Sequence, residues 1–250
     1  GSLKASVILK DLAPFVPALS RFEEPLDLNL VFSGHGKHLD CPTLRLTNHH
    51  GLMIAGEAAL SNWDAGMDMY IYGKLGNLTM TKEGINVLMT NLTGKVPPIL
   101  QRLDYIRFNG EAAGYLHDLT LTGLFHTGAG MVKTDVMMSI DEQSMSRTYS
   151  GSVASADLDL GKLLNQEKKF GKVDFNVELK GFNYKNRYPE SYIKGIISSF
   201  EYSQYQYENI MLDGVYKDGG FNGRLSMDDA NGSVQIDGNF NVAKTIPDFN

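Results

Sequence analysis

The sequence predicts a mainly β fold: an antiparallel meander of quasi-repeated strands forming an elongated curved sheet or open groove, with two or three short helices. One short phrase recurs four times, as Thr43-Leu44-Arg45-Leu46-Thr47, Asn77-Leu78-Thr79-Met80-Thr81, Asp118-Leu119-Thr120-Leu121-Thr122 and Asn209-Ile210-Met211-Leu212-Asp213. Its apolar groups stand two apart, so one face of such a strand is greasy while the other stays wet. Each phrase also follows a strand-like run that closes on glycine: Phe32-Ser33-Gly34, Tyr72-Gly73, Phe108-Asn109-Gly110 and Leu179-Lys180-Gly181. The pattern is a quasi-repeat of antiparallel strand pairs, which implies a function spread over a surface rather than gathered at one catalytic point.

Taken in order, the clearest strands are Leu26-Asp27-Leu28-Asn29-Leu30-Val31-Phe32, Met67-Asp68-Met69-Tyr70-Ile71-Tyr72 and Val173-Asp174-Phe175-Asn176-Val177-Glu178-Leu179, each alternating apolar with polar. Residues 221–227 and 234–240 continue the pattern. Asp228-Asp229-Ala230-Asn231-Gly232 between them is a hairpin turn, because Asn and Gly tolerate positive φ, and Asn48-His49-His50-Gly51 and Lys217-Asp218-Gly219-Gly220 are turns of the same kind. Three segments break the pattern. Residues 7–19 space Ile8, Leu12, Phe15, Val16 and Leu19 on a helical face, with Pro14 and Pro17 as kinks or stops. Residues 95–103 predict a helix entered through proline, and residues 159–164 a third short helix capped by Asp159. Short amphipathic helices in an extended sheet cover a greasy face or plug an open end; contact with a partner or membrane is the other role open to them.

Length and composition bound the functional class. The 250 residues are expected to form a single β-rich repeat-like region over 1–250, with 1–104 and 105–250 as possible sub-units. Charged residues make up 21% of the chain, with a net charge of −6 and a pI near 5.5. That balance argues against nucleic acid as a partner and supplies no electrostatic draw toward anionic lipid headgroups. The single cysteine, Cys41, excludes an intrachain disulfide and leaves the compartment open. Apolar runs such as Val7-Ile8-Leu9 and Ile196-Ile197 fall far short of the roughly 20 residues of a spanning helix. Gly1-Ser2 resembles an expression scar, which leaves room for a signal peptide or anchor upstream.

Candidate chemistry is sparse. His35, His38, Asp40, Cys41, His49 and His50 offer zinc-type ligands. If residues 42–47 form a strand, however, its rise of about 3.3 Å per residue separates the two histidine pairs by about 20 Å, too far to share one ion. No metal site and no cofactor are therefore expected. Ser191-Tyr192-Ile193-Lys194 matches the serine-x-x-lysine pattern of penicillin-recognising enzymes but opens a β-rich run where that motif needs a helix. Residues 228–232 lack the ligand spacing and distal Glu of a calcium loop. Phe200, Tyr202, Tyr205 and Tyr207 are either cross-strand pairs or a stacking platform for a ligand. No phosphate loop, paired-carboxylate signature or nucleophile elbow is present, so an enzyme is not expected.

The stretch Tyr205-Gln206-Tyr207-Glu208-Asn209-Ile210-Met211-Leu212-Asp213-Gly214, followed by residues 221–232, resembles the TamB-like translocation and assembly proteins of Bacteroides-type bacteria, within the AsmA-like group. Residues 106–110 through 118–123 are similar to the same family, as are 158–164 running on through 171–173 to 180–181. The resemblance implies a periplasmic, β-rich envelope-biogenesis protein tethered to the inner membrane through an anchor outside this stretch. It implies an apolar groove that carries phospholipid or assists outer-membrane protein assembly. The chain departs from the family pattern by lacking the anchor and the C-terminal partner-binding end, as an internal slice would.

Apolar side chains on one face, Leu28, Leu30, Leu44, Leu46, Leu119, Leu121, Phe175, Val177, Ile210, Leu212, Val234 and Ile236, are the candidates to line such a groove. Each methylene of an acyl chain buried there gains about 0.8 kcal/mol. The same alternation is compatible with the closed core of a sandwich. The rival readings are a secreted carbohydrate-binding β-sandwich using the Tyr202 to Tyr207 aromatics, and an outer-membrane barrel.

Overall fold

The structure, a computed structural model, describes residues 1–12, 20–141, 143–144, 146–183, 190–218 and 220–241. Among them the strands are β1 (Ser2–Ile8), β2 (Pro25–His35), β3 (His38–Thr47), β4 (Leu52–Ser61), β5 (Tyr70–Thr81), β6 (Tyr105–Tyr115), β7 (Asp118–Thr127), β8 (Gly130–Ile140), β9 (Arg147–Ala156), β10 (Leu158–Asp159), β11 (Phe170–Asn183), β12 (Glu190–Tyr202), β13 (Tyr205–Lys217), β14 (Gly220–Asp229) and β15 (Gly232–Asn241). Three short helices interrupt them: α1 (Lys82–Thr93), α2 (Pro98–Gln101) and α3 (Leu160–Leu164). The strands form one antiparallel meander in chain order, with β10 paired to β11 aside from the path, and the sheet does not close on itself.

Short connections fix that order. Gly36 (φ 59°) and Lys37 join β2 to β3. Ser203 and Gln204 join β12 to β13 with φ of 50° and 69°, the double positive φ of a tight hairpin turn. Two compact units divide the chain: residues Gly1–Leu116 with Gly123–Ala129, and His117–Thr122 with Gly130–Asn250. The division runs through β7.

Several elements differ from the sequence expectation, each for a local reason. Residues 7 and 8 finish β1, because β-branched Val7 and Ile8 pair with Leu26 and Pro25, and a single 3-10 turn (Leu9–Leu12) follows. The remainder of the expected 7–19 helix lies outside the described residues. The strand expected from Met67 begins only at Tyr70, since residues Gly66–Asp68 close a 3-10 turn through the Met69 N–H on the Gly66 carbonyl. The 95–103 helix shrinks to α2, four residues started by Pro98. The quasi-repeat is a strand pair at β2/β3 and at β6/β7. Tyr72-Gly73 and Asn77 to Thr81, by contrast, share β5, and β12 stands between Leu179-Lys180-Gly181 and Asn209 to Asp213.

Helix α1 was not expected. Thr81 caps it, its Oγ1 accepting from the Gly84 N–H at 3.2 Å, and Gly94 ends it in the left-handed conformation (φ 78°). Gly84 is buried against the β3–β4 turn, where a Cβ would lie 3.1 Å from the His50 carbonyl oxygen. The helix packs on β5 and β6 and brings in Ile85, 1% exposed. Leu52, Met80 and Ile106 form one cross-strand row, all buried, and with Phe22, Leu26 and Leu103 they make the core of the first unit. In the second unit the equivalent is smaller. Asp159 caps α3 by accepting from the Lys162 N–H at 2.8 Å, and Leu158, Leu163 and Val173 are buried beside it.

Candidate functional site

Strand register separates two chemistries onto two faces. In the first unit, one face carries Leu3, Ala5 and Val7 (β1), Leu28 and Leu30 (β2), Leu44 and Leu46 (β3), Ile54, Ala58 and Leu60 (β4), Ile71, Leu75 and Leu78 (β5), then Phe108 and Ala112 (β6). No charged residue falls on these rungs. The opposite face carries Lys4, Asp27, Asn29, Arg45, Asp40, Glu57, Lys74, Arg107 and Glu111. The second unit repeats the separation. Val153, Val177, Leu212, Leu225 and Ile236 share a rung from β9 to β15, and Phe175, Ile197, Ile210, Met227 and Val234 share another.

The twelve sequence candidates all fall on these apolar faces. Leu28, Leu30, Leu44 and Leu46 do so in the first unit, and Phe175, Val177, Ile210, Leu212, Val234 and Ile236 in the second. Leu119 and Leu121 follow by alternation, because Asp118 and Thr122 on the other side of β7 bond Ser139 and Asp135 of β8. Val177 and Ile210 are buried, Val234 is exposed, and the other nine are half-buried. Sequence reasoning missed Ile54, Leu75, Ile193 and Leu225 on the same faces. Met53-Ile54-Ala55 and Ile193 beside Lys194-Gly195-Ile196 break the alternation that would have exposed them.

Half-burial is the informative state. A sealed core excludes its leucines from water, and a large apolar face left partly open is the kind of surface that meets a protein partner, a ligand or a membrane. Glycine is required at two points on this side. In a flat sheet the neighbouring strand lies about 4.8 Å away, well clear of an outward Cβ. A Cβ at Gly56 would instead lie 2.1 Å from the Lys74 carbonyl oxygen, and one at Gly151 (φ 142°) 2.1 Å from that of Asp135. The β-bulge beside Gly56 and the positive φ of Gly151 bring the neighbouring backbone this close, so neither position admits a side chain.

The wet face of the second unit is organised by charge. Glu178, Lys194, Asp213, Arg224 and Asp237 stand opposite one another on five successive strands. Lys194 Nζ reaches Asp213 Oδ2 at 3.1 Å and Arg224 Nε reaches Asp237 Oδ1 at 2.8 Å. The Tyr192 hydroxyl donates to Asp213 at 2.7 Å. That hydroxyl and the Lys194 ammonium hold the Asp213 carboxyl below the ordinary carboxylate range, and Arg224 does the same for Asp237.

The other candidates are dispersed. His35 and His38 face each other at one end of β3, where His38 Nδ1 meets Ser61 Oγ at 2.6 Å and Nε2 meets Asp40 at 3.0 Å. His50 lies beyond the other end of β3, between Glu83 at 3.0 Å and Glu24 at 3.4 Å, tying the turn to the start of α1. Cys41 is buried, which pushes its thiol pKa up. Among the described residues no group of three or more His, Cys, Asp or Glu is placed to hold a metal. Ser191 bonds the Tyr149 hydroxyl on the apolar side of β12, whereas Lys194 pairs with Asp213 on the wet side, so the two cannot act on one atom. The aromatics form rungs: Phe200 opposite Tyr207, and Tyr202 opposite Tyr205, with Phe170 5.4 Å from Tyr202 between ring centroids. Comparison with known proteins finds no family model, no curated protein and no solved structure that matches this chain.

Proposed function

We propose that this chain is a non-enzymatic, periplasmic envelope-biogenesis protein whose apolar sheet face carries phospholipid acyl chains or assists outer-membrane protein assembly, tethered to the inner membrane by an anchor outside this stretch. The observation that carries the reading is the apolar face, charge-free on the rungs of the first unit and on the central rungs of the second, half-open to water in each unit and backed by a charged face. Strands spaced about 4.8 Å apart mean that three of them match the roughly 15 Å of hydrocarbon in one leaflet. An acyl chain lying across three strands gains about 0.8 kcal/mol for each methylene it buries. Because similar rungs follow one another, a step from one to the next changes little in free energy, which suits passage rather than storage. The resemblance of residues 205–232 to TamB-like proteins points the same way. The tyrosine rungs engage one another, which weighs against the carbohydrate-binding alternative.

The test places a photo-crosslinking side chain at Leu121 or Leu212, and separately at Thr120 or Met211 on the wet face, in protein expressed in the bacterial periplasm. Phospholipid is expected to be captured from Leu121 and Leu212. Capture confined to Thr120 and Met211 would overturn the reading.

A further inference from the structure

The wet face of the second unit holds a concavity of about 400 Å³ that the acyl-carrying reading does not use. Two cross-strand rows build it. Met137, Ser150, Lys180, Tyr192 and Val215 stand opposite one another from β8 to β13, and Ser139, Thr148, Phe182 and Glu190 form the next row. Directly opposed side chains lie about 5 Å apart, so Met137 and Lys180 wall a gap of about 10 Å floored by the small Ser150. Thr148 floors the adjoining row in the same way, beside Phe182.

Its lining is amphiphilic. Met137, Phe182 and Tyr192 expose 45%, 41% and 39% of their surface and cluster in this cleft, whereas Ile196 and Met211, also exposed on the wet face, stand outside it. Tyr192 is held by its hydroxyl on Asp213, which steadies the ring as a wall. Glu190 is neutralised by Lys217 at 2.7 Å. Lys180 has neither an ion pair nor a hydrogen bond among the described residues, so its ammonium is the cleft's uncompensated charge. The volume falls in the usual range for small-molecule sites, which combine apolar walls with a few placed polar groups.

We infer that this cleft binds a small organic carboxylate with an aromatic or short alkyl body, the body resting between Met137 and the Phe182 and Tyr192 rings and the carboxylate meeting Lys180. A cationic ligand would meet the Lys180 ammonium with the Glu190 carboxylate already held by Lys217, and a neutral one would forgo the charge on Lys180. The site lies on the opposite side of the sheet from the acyl-carrying face and stands independently of that reading.

The test uses the full chain with 13C-methyl-labelled methionine, titrated with 4-phenylbutyrate and, in parallel, 4-phenylbutan-1-ol. Met137 reports the cleft, Met211 the wet face outside it, and Met227 the apolar face. The acid is expected to shift Met137 saturably with a Kd of about 0.1–1 mM, leaving Met211 and Met227 in place. The alcohol is expected to bind about fivefold more weakly, and Lys180→Gln to remove that preference while the other methyl signals stay superimposable. Shifts at Met227 without Met137 would overturn the site while leaving the acyl reading standing. Equal binding of acid and alcohol, an unaffected Lys180→Gln variant, equal movement of Met211, or no saturable shift would each overturn it as well.

Discussion

One methyl group measures how tightly neighbouring strands approach on the apolar side. Gly56→Ala places a Cβ against the Lys74 carbonyl, and it is expected to cost about 1–3 kcal/mol in urea unfolding as β4 and β5 are forced apart. Gly73→Ala, on the same face with open space where its Cβ would stand, is expected to stay within about 0.5 kcal/mol of the parent. Equal costs at the two positions would show that crowding by the neighbouring strand is not what selects glycine. Charge at single residues also sets the acid response. Asp213 and Asp237 are held below the ordinary carboxylate range by their partners, so between the folded value and about 3.9 the unfolded chain binds more protons. Their contribution is therefore complete above the ordinary carboxylate range and is lost as pH falls through the folded values. The urea midpoint is expected to drop below about pH 4, and the Asp213→Asn/Asp237→Asn variant to flatten that drop. These groups are solvent-exposed, so molar salt is expected to shrink the difference between parent and variant.

At the scale of the element, helix α1 supplies the most completely enclosed large side chain. Ile85→Ala in α1 removes a side chain with 1% exposure and is expected to cost about 2–5 kcal/mol, read as a lower urea midpoint. Thr81→Ala removes only the cap and is expected to cost about 1 kcal/mol. The sequence made β2, β11, β14 and β15 legible because their alternation is clean, and α3 because Asp159 stands where a cap belongs. Helix α1 was obscured by Gly84 near its start and by Val87 and Thr90 within it, residues with poor helical propensity. Its signals were Thr81 and Gly94 at the ends and the spacing of Ile85, Leu88 and Met89. Strand β4 was obscured because Met53, Ala55 and Ala59 put apolar groups on its wet side. Residues 67–69 alternate like a strand, yet Gly66 at φ 60° turns the chain into a 3-10 turn first.

At the scale of the whole chain, the twelve candidate residues could be chosen from alternation alone, whereas the openness of the face could not. Period-two patterning is the same for a sealed sandwich and for an unclosed sheet, and only the strand path distinguishes them. Leu212→Asp separates the two by experiment. In a sealed core a lone carboxylate costs several kcal/mol, but on a half-buried face it is expected to cost about 1–2 kcal/mol, with a folded protein that no longer captures lipid through Leu121. The ladder of Glu178, Lys194, Asp213, Arg224 and Asp237 has a further consequence for how such a sheet finds its alignment. Sliding β13 by two positions along β12 keeps oil against oil, since Leu212 would meet Ile193 or Ile197, so greasiness cannot detect the error. Lys194 detects it, because it would then oppose Met211 or Val215 in place of a carboxylate. Alignment is policed like a vernier from the hydrated side, which frees the other side from any need for jigsaw fit between its own side chains.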